Sequence, residues 1–438
     1  MPDAKKTDVL NQAVLALVFT LAFAIFFAPE LSLPLQLVPL GLFAALVFCK
    51  ALWSDSLLTA LTGFFDTDGL LYVIFLSVLM LGASFESSFE EAFEFALLLS
   101  ICLVLARIYM TLVPIREVLE AFYWSAILSL LIFVPLTFGM LIQSVATLEK
   151  FTAFNFHPNL LALQLAAYLC VMVWKLMTGG WFMKVLSGLV GTVCIIVIFL
   201  SSSRGALVGI VAGGGFVIGV VLVDAAKRHQ KRTFRVSAIV LALLAVLFAV
   251  VQNLESTQEV LATVDKILDL SSPGRGLDSG MTGRVDVWQE VLRVLRDGSW
   301  LFGHGVRSSD AVWTYEPKID NSYLVILYDM GVVPLILITW RFVRMLRGAT
   351  RNYFCAIDDE QKQFHLTCGM FLVVLLVTSI VERSLFAVGN PFSLLAFLFF
   401  ATPTRSLELQ GDRSMLYPQR SGLLQDGSIS APRPNQES

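Results

Sequence analysis

Long apolar runs of about twenty residues, separated by short polar turns, dominate the chain. They do not alternate between apolar and polar positions as barrel strands would, so they predict helices that satisfy their own backbone hydrogen bonds inside a bilayer. The runs place spans at about 9–29, 33–53, 70–86, 91–113, 119–146, 159–177, 181–201, 204–224, 234–252, 322–342, 364–382 and 390–403. The first run follows Lys5 and Lys6, as a signal peptide would. It ends at Ala28-Pro29 without a small-x-small cleavage pattern, so it reads as an anchor. The expectation is an all-α integral membrane protein of about twelve transmembrane helices. Residues 1–252 supply the first nine and 322–403 the last three. The Ser-, Gln-, Pro- and Gly-rich stretch 404–438 reads as a disordered cytoplasmic tail.

One segment breaks this rhythm. Residues 253–321 form a large polar loop, and a loop of that length with its own helical pattern is usually functional. From Thr282 to Arg296, helical spacing puts Val285, Trp288, Val291 or Leu292, and Leu295 on one face. Thr282 suits an N-cap, and Asp286 and Arg296 suit the two ends of the helix dipole. The loop should therefore carry amphipathic helices that lie on the membrane or roof a cavity.

Composition agrees with the pattern. The 438 residues are 57% hydrophobic and 15% charged, against about 25% charged in a soluble domain. The mean hydropathy is +0.76. A net charge of -3 lacks the basic footprint of a nucleic-acid binder. Cys49, Cys102, Cys170, Cys194 and Cys368 lie in apolar runs and Cys355 in a basic loop, without a CxxC pair. The four histidines are not at ligand spacing, so neither a metal nor another cofactor is expected.

Basic residues set the orientation. Lys227-Arg228-His229-Gln230-Lys231-Arg232 and the Arg341, Arg344, Arg347, Arg351 segment are expected in the cytoplasm. Counting spans outward puts both termini and Lys5, Lys6, Lys50, Arg107, Arg116, Lys175 and Lys184 on the same side. Residues 253–321 then face the periplasm.

Candidate chemistry gathers on that face. Ser201-Ser202-Ser203-Arg204-Gly205 is a turn too short to carry its arginine far into water. Arg204 with three hydroxyls fits an anion site, or else a snorkelling arginine among capping serines. Between 275 and 307 lie Arg275, Arg284, Arg293, Arg296 and Arg307, of which Arg293 and Arg296 best fit a solvated face. Gly303-His304-Gly305-Val306-Arg307 is a turn carrying a histidine and an arginine. Asp320, before Asn321-Ser322-Tyr323, is either a helix cap or a carboxylate at a cavity mouth able to take a hydroxyl proton. His157, in Asn155-Phe156-His157-Pro158-Asn159, is a second periplasmic histidine or a turn residue. Glu382-Arg383 has the look of a self-satisfied ion pair, and Glu86, Glu90, Glu91 and Glu94 of a solvated rim.

These residues carry a resemblance. Ser202-Ser203-Arg204-Gly205-Ala206-Leu207, then Gly283-Arg284 with Trp288, Leu301-Phe302-Gly303-His304-Gly305, Asp320-Asn321-Ser322-Tyr323-Leu324 and Asp329-Met330-Gly331 follow in order. With His157-Pro158-Asn159 before a span, the chain resembles the O-antigen ligase and polymerase superfamily of bacterial inner membranes over roughly 155–335. The resemblance implies a glycosyltransferase of the GT-C type, acting at the periplasmic face on a glycan carried by undecaprenyl diphosphate. The acceptor would be a glycan or a lipid, a chain-length regulator is a candidate partner, and no metal is required.

Under that reading Arg204 and Arg284 bind the diphosphate, and Asp320 positions or deprotonates the acceptor hydroxyl, with His304 as the rival base. Arg307, Asn321, Tyr323 and His157 complete the binding set. Ligases of the superfamily usually carry a histidine before the asparagine where this chain has Asp320, which favours a polymerase of lipid-linked repeat units. The alternatives are a ligase acting on lipid A-core, and a polysaccharide or lipid transporter. The transporter is disfavoured by the lack of an internal repeat and by polar groups gathered at one face.

Overall fold

The computed structural model describes residues 2–26, 37–53, 67–83, 89–147, 151, 158–227, 284–297, 300–312, 319–383, 385 and 391–403. Among them the regular structure is helical throughout. The helices are α1 (Pro2–Phe26), α2 (Val38–Trp53), α3 (Thr67–Ala83), α4 (Phe89–Leu112), α5 (Ile115–Thr147), α6 (Pro158–Thr178) and α7 (Trp181–Leu200). They continue with α8 (Arg204–Lys227), α9 (Arg284–Asp297), α10 (Ser308–Val312), α11 (Ser322–Met330), α12 (Val332–Cys355), α13 (Asp359–Thr378) and α14 (Pro391–Ala401). The expected span 234–252, His157, Arg275, the Thr282 cap and the tail from 404 lie outside the described residues.

Among the described residues, six helices are long and apolar enough to cross a membrane: α4 to α8 and α13. Apolar stretches of α1, α2, α3 and α14 are shorter. The protein is therefore a multi-pass, all-α membrane protein. α6 and α13 are buried along most of their length and form its centre, whereas α7 and α8 show broad apolar faces to the surroundings. Tight turns at 113–114, 179–180, 201–203 and 356–358 reverse the chain. One end of the bundle gathers Arg116 against Glu360, Lys175 against Glu120, and Lys227 over the Phe354 ring. The other end carries α9, α10 and α11.

Two expectations need correction. The run 322–342 is two helices, because Gly331 breaks it at φ 86. A Cβ there would stand 2.2 Å from the Leu301 carbonyl oxygen, so only glycine fits. Gly303, at φ 73, lies against the Asp329 carbonyl in the same way. The backbone of 300–305 thus crosses that of 328–332. His304 N–H donates to the Tyr328 carbonyl (2.8 Å), Gly305 N–H to Asp329 (3.0 Å) and Val332 N–H to Trp300 (3.0 Å).

The second correction concerns the face of α9. Its buried stripe is Val287, Val291 and Leu295, packed on Ile319, Val325 and Tyr328. Val285 and Trp288 are half-buried, and Leu292 is 51% exposed. The spacing rule gave the correct period with the stripe rotated, because α9 packs on the short α11 and not on the bilayer alone.

α8 meets α13 through glycines four residues apart. A Cβ on Gly205 would meet Val381 at 2.6 Å, on Gly209 Thr378 at 2.4 Å and on Gly213 Val374 at 2.7 Å. Small residues let membrane helices approach closely, which brings α8 against the residues that follow α13. Gly214 and Gly219, on the open side, have no atom within 4 Å of the added Cβ. Gly209→Ala is expected to lower the thermal midpoint of the detergent-purified protein, by an overpacking cost of about 1–3 kcal/mol. Gly214→Ala should leave it equal or slightly raised. Equal midpoints for both would refute close helix contact.

Candidate functional site

Three chain segments converge at the end of the bundle opposite the basic cluster. The first is the loop into α11. Asn321, not Asp320, is the helix cap: its side chain accepts from Tyr323 N–H (3.0 Å) and Leu324 N–H (3.1 Å). Capping by the neighbour leaves the Asp320 carboxylate available. The second is the turn after α13, stapled to the first by Ser322. Its N–H donates to the Ser379 carbonyl (2.9 Å) and its hydroxyl to that of Glu382 (2.7 Å). The third is the start of α9, which brings in Arg284.

Arg284 joins all three. Its Nη2 donates to Asp320 Oδ2 at 3.0 Å and lies 3.6 Å from Glu382 Oε1, while Nη1 donates to the Val381 carbonyl at 2.9 Å. Asn159, at the start of α6, donates to the same Glu382 Oε1 at 2.8 Å. Glu382 is buried and Asp320 more open. Burial pushes the Glu382 carboxyl up to about 7. Arg284 and Asn159 favour its charged form, and the negative charge of Asp320 opposes it. A guanidinium thus sits between an accessible carboxylate and a buried one whose proton equilibrium lies near neutrality.

Arg204 opens α8 one residue before Gly205, which lies against Val381 and Glu382. The α8 N-terminus, where the helix dipole is positive, therefore abuts the Glu382 turn. Ser203 beside it is buried, with its hydroxyl unpaired.

A second charged group adjoins through Arg383. Arg383 pairs with Asp310, which also accepts from Arg307 Nε at 3.0 Å. Burial raises the Asp310 carboxyl, but the guanidiniums of Arg383 and Arg307 outweigh it and hold it below the usual carboxylate range. Arg307 also lies over the Phe95 ring, 5.6 Å from its centroid. Asp329 anchors the loop from below, accepting from Ser309 N–H (2.8 Å) and from the Ser308 (3.2 Å) and Ser309 (3.1 Å) hydroxyls.

The structure thus brings Arg284, Asp320 and Asn321 together, with the start of α8 alongside. Arg307 belongs to the adjoining group. His304 stacks on Tyr328 at 4.5 Å between centroids and makes no hydrogen bond with Arg284 or Asp320. The Tyr323 hydroxyl donates to the Leu376 carbonyl (2.8 Å), a packing role against α13. Glu382 and Arg383 do not satisfy each other; they turn to Arg284 and Asp310. Sequence reasoning missed Glu382 as part of the site and missed Asp310 altogether. The available signal for Glu382 was an acid directly after a long apolar run, where burial makes it costly without a partner.

The raised Glu382 carboxyl couples to folding. Its folded value lies above its unfolded one, so between about pH 4.5 and 7 the folded state holds more protons and stability falls as pH rises. The thermal midpoint of the wild-type protein should therefore decline across that window. The decline should be shallower in Glu382→Gln, as read by intrinsic fluorescence in detergent. Identical slopes would show that Glu382 titrates as an exposed acid.

No curated protein matches the chain. Residues 189–339, about a third of the chain, match the family model described as O-antigen ligase. The matched segment contains Arg204, Arg284, His304, Arg307, Asp320, Asn321 and Tyr323, whereas Asn159, Glu382 and Arg383 lie outside it. The function this supports is transfer of a glycan by an O-antigen ligase-type or related membrane enzyme. Over that segment the chain is similar to the O-antigen ligase family, which supports the O-antigen ligase and polymerase superfamily.

Proposed function

We propose that the protein polymerises oligosaccharide repeat units carried on undecaprenyl diphosphate, at the periplasmic face of a bacterial inner membrane, with both termini in the cytoplasm. One observation carries the reading: Arg284 is held between Asp320 and Glu382, beside the start of α8. Glycosyl transfer from a lipid diphosphate needs little besides charge stabilisation at the leaving group and a destination for one proton. The acceptor hydroxyl oxygen forms a bond to the anomeric carbon, and the bond from that carbon to the diphosphate oxygen breaks. Arg204 and Arg284 bind the departing diphosphate. Asp320 orients the acceptor hydroxyl, and Glu382 takes its proton, to which its raised basicity is suited. His304, stacked on Tyr328, serves the loop and not the proton. Arg307 adds a cation on the loop side.

The basic residues at the opposite end of the bundle support the orientation, since positive charge favours the cytoplasm. Asp320, where ligases of the superfamily resemble one another in carrying a histidine, supports polymerase over ligase. The second reading, a ligase acting on lipid A-core, is favoured by the description of the matched family.

Purified protein incubated with lipid-linked repeats and no lipid A-core should yield a ladder of longer lipid-linked products. Transfer only after lipid A-core is added would establish the ligase and reject the polymerase. In the same assay Arg284→Lys should lose about 10²–10³ in rate, because an ammonium cannot reproduce a guanidinium reaching three acceptors. Arg293→Ala, at an exposed position where the arginine pairs with Glu290, should keep wild-type rate. Equal rates for both variants at equal protein levels would remove Arg284 from the mechanism.

A further inference from the structure

Trp300, Leu301 and Phe302 are 56%, 39% and 60% exposed, an unusual concentration of apolar surface for a loop. They are not on a loose excursion. The Trp300 carbonyl accepts from Val332 N–H, and the Leu301 carbonyl packs on Gly331, so the triplet is fixed to the first residue of α12. α12 in turn exposes Ile336, Trp340 and Val343, one stripe at helical spacing on the outside of the bundle. The triplet extends that apolar stripe past the N-terminal end of the helix. Along the chain the triplet is flanked by the exposed Arg296 before it and the half-buried His304 after it. Apolar surface therefore gives way to polar surface within a few residues, and tryptophan is the residue that membranes select at such a boundary.

We propose that Trp300, Leu301 and Phe302 insert into the lipid leaflet on the site side of the membrane and hold loop 300–312 at the level of the lipid headgroups. The occupant is bilayer lipid, because the patch continues the outward stripe of a membrane helix instead of lining a groove. The consequence is positional. The same loop carries Arg307 and Asp310, and through Asp310 it holds Arg383, next to Glu382. Anchoring the triplet fixes the height of the charged groups relative to the depth at which a membrane-borne phosphate lies. The anchoring itself does not rest on the glycosyl-transfer reading.

The test uses the full chain in lipid nanodiscs. Cys49 and Cys355, the two exposed cysteines, are changed to Ser, and the four buried ones are kept. A nitroxide is then attached at Trp300→Cys, Phe302→Cys or, as an aqueous reference, Arg293→Cys. Oxygen, which partitions into lipid, and a water-soluble nickel chelate compete to relax the label. At 300 and 302 oxygen should dominate, and at 293 the chelate. Dominance of the chelate at all three sites would overturn the proposal, as would spin–spin broadening at 302 that reports a second copy of the chain.

A second measurement needs no cysteine. Lipids brominated on their acyl chains should quench the fluorescence of the wild-type chain more than that of Trp300→Tyr. Equal fractional quenching would place Trp300 in water and reject the anchor even if the labelled variants failed to fold.

Discussion

A buried carboxylate and a partly buried guanidinium each carry a desolvation cost that neither can meet alone, and here one arginine meets it for two acids. Arg284 reaches Asp320, Glu382 and the Val381 carbonyl, three groups from two chain segments far apart in sequence. Removing one partner from such a pair leaves an uncompensated buried charge, a loss typically on the order of 3–5 kcal/mol. Everything else at this end of the bundle serves to bring the three segments within reach. The Ser322 staple joins the α11 entry to the turn after α13, and the glycine face of α8 lets its N-terminus approach the same turn. The Val287–Val291–Leu295 stripe holds α9, and with it Arg284, over α11.

The loop between α9 and α11 is organised by a different constraint. Two glycines at positive φ allow two stretches of main chain to cross in contact, a path closed to any side chain. The crossing interrupts what would otherwise be one long helix and exposes the Asp329 carboxylate to the Ser308 and Ser309 donors. The Gly303-His304-Gly305 and Asp329-Met330-Gly331 motifs, separated in sequence, are therefore two halves of one structural joint. This explains His304: its main chain belongs to the joint and its ring to Tyr328.

The apolar helices were legible because a membrane imposes one requirement, about twenty apolar residues with internal hydrogen bonds, that can be read without tertiary contacts. α6, α7 and α14 start and end within about a residue or two of the expected bounds. The 322–342 run misled because its composition is that of a span, while its break depends on Leu301 arriving from elsewhere. Asp320 was legible as a polar residue where the loop meets an apolar segment, and Arg284 as an arginine at the start of the amphipathic loop helix. Asp320 had two readings that local sequence could not separate, until Asn321 proved to be the cap. Glu382 was misassigned to its neighbour Arg383 because adjacency in sequence says nothing about which way two side chains turn. Asp310 had no signal, since its partners Arg307 and Arg383 lie on different segments.

The central claim is that Arg284 holds Glu382 in a shared charged site and thereby sets its proton affinity. Infrared difference spectroscopy measures this directly. The carbonyl band of protonated Glu382, isolated by subtracting the Glu382→Gln spectrum, is followed against pH in the wild-type protein and in Arg284→Gln. The band should vanish as pH rises through about 7 in the wild type, and only at higher pH once the guanidinium is gone. A band that titrates in the ordinary carboxylate range, at the same pH in both proteins, would contradict it.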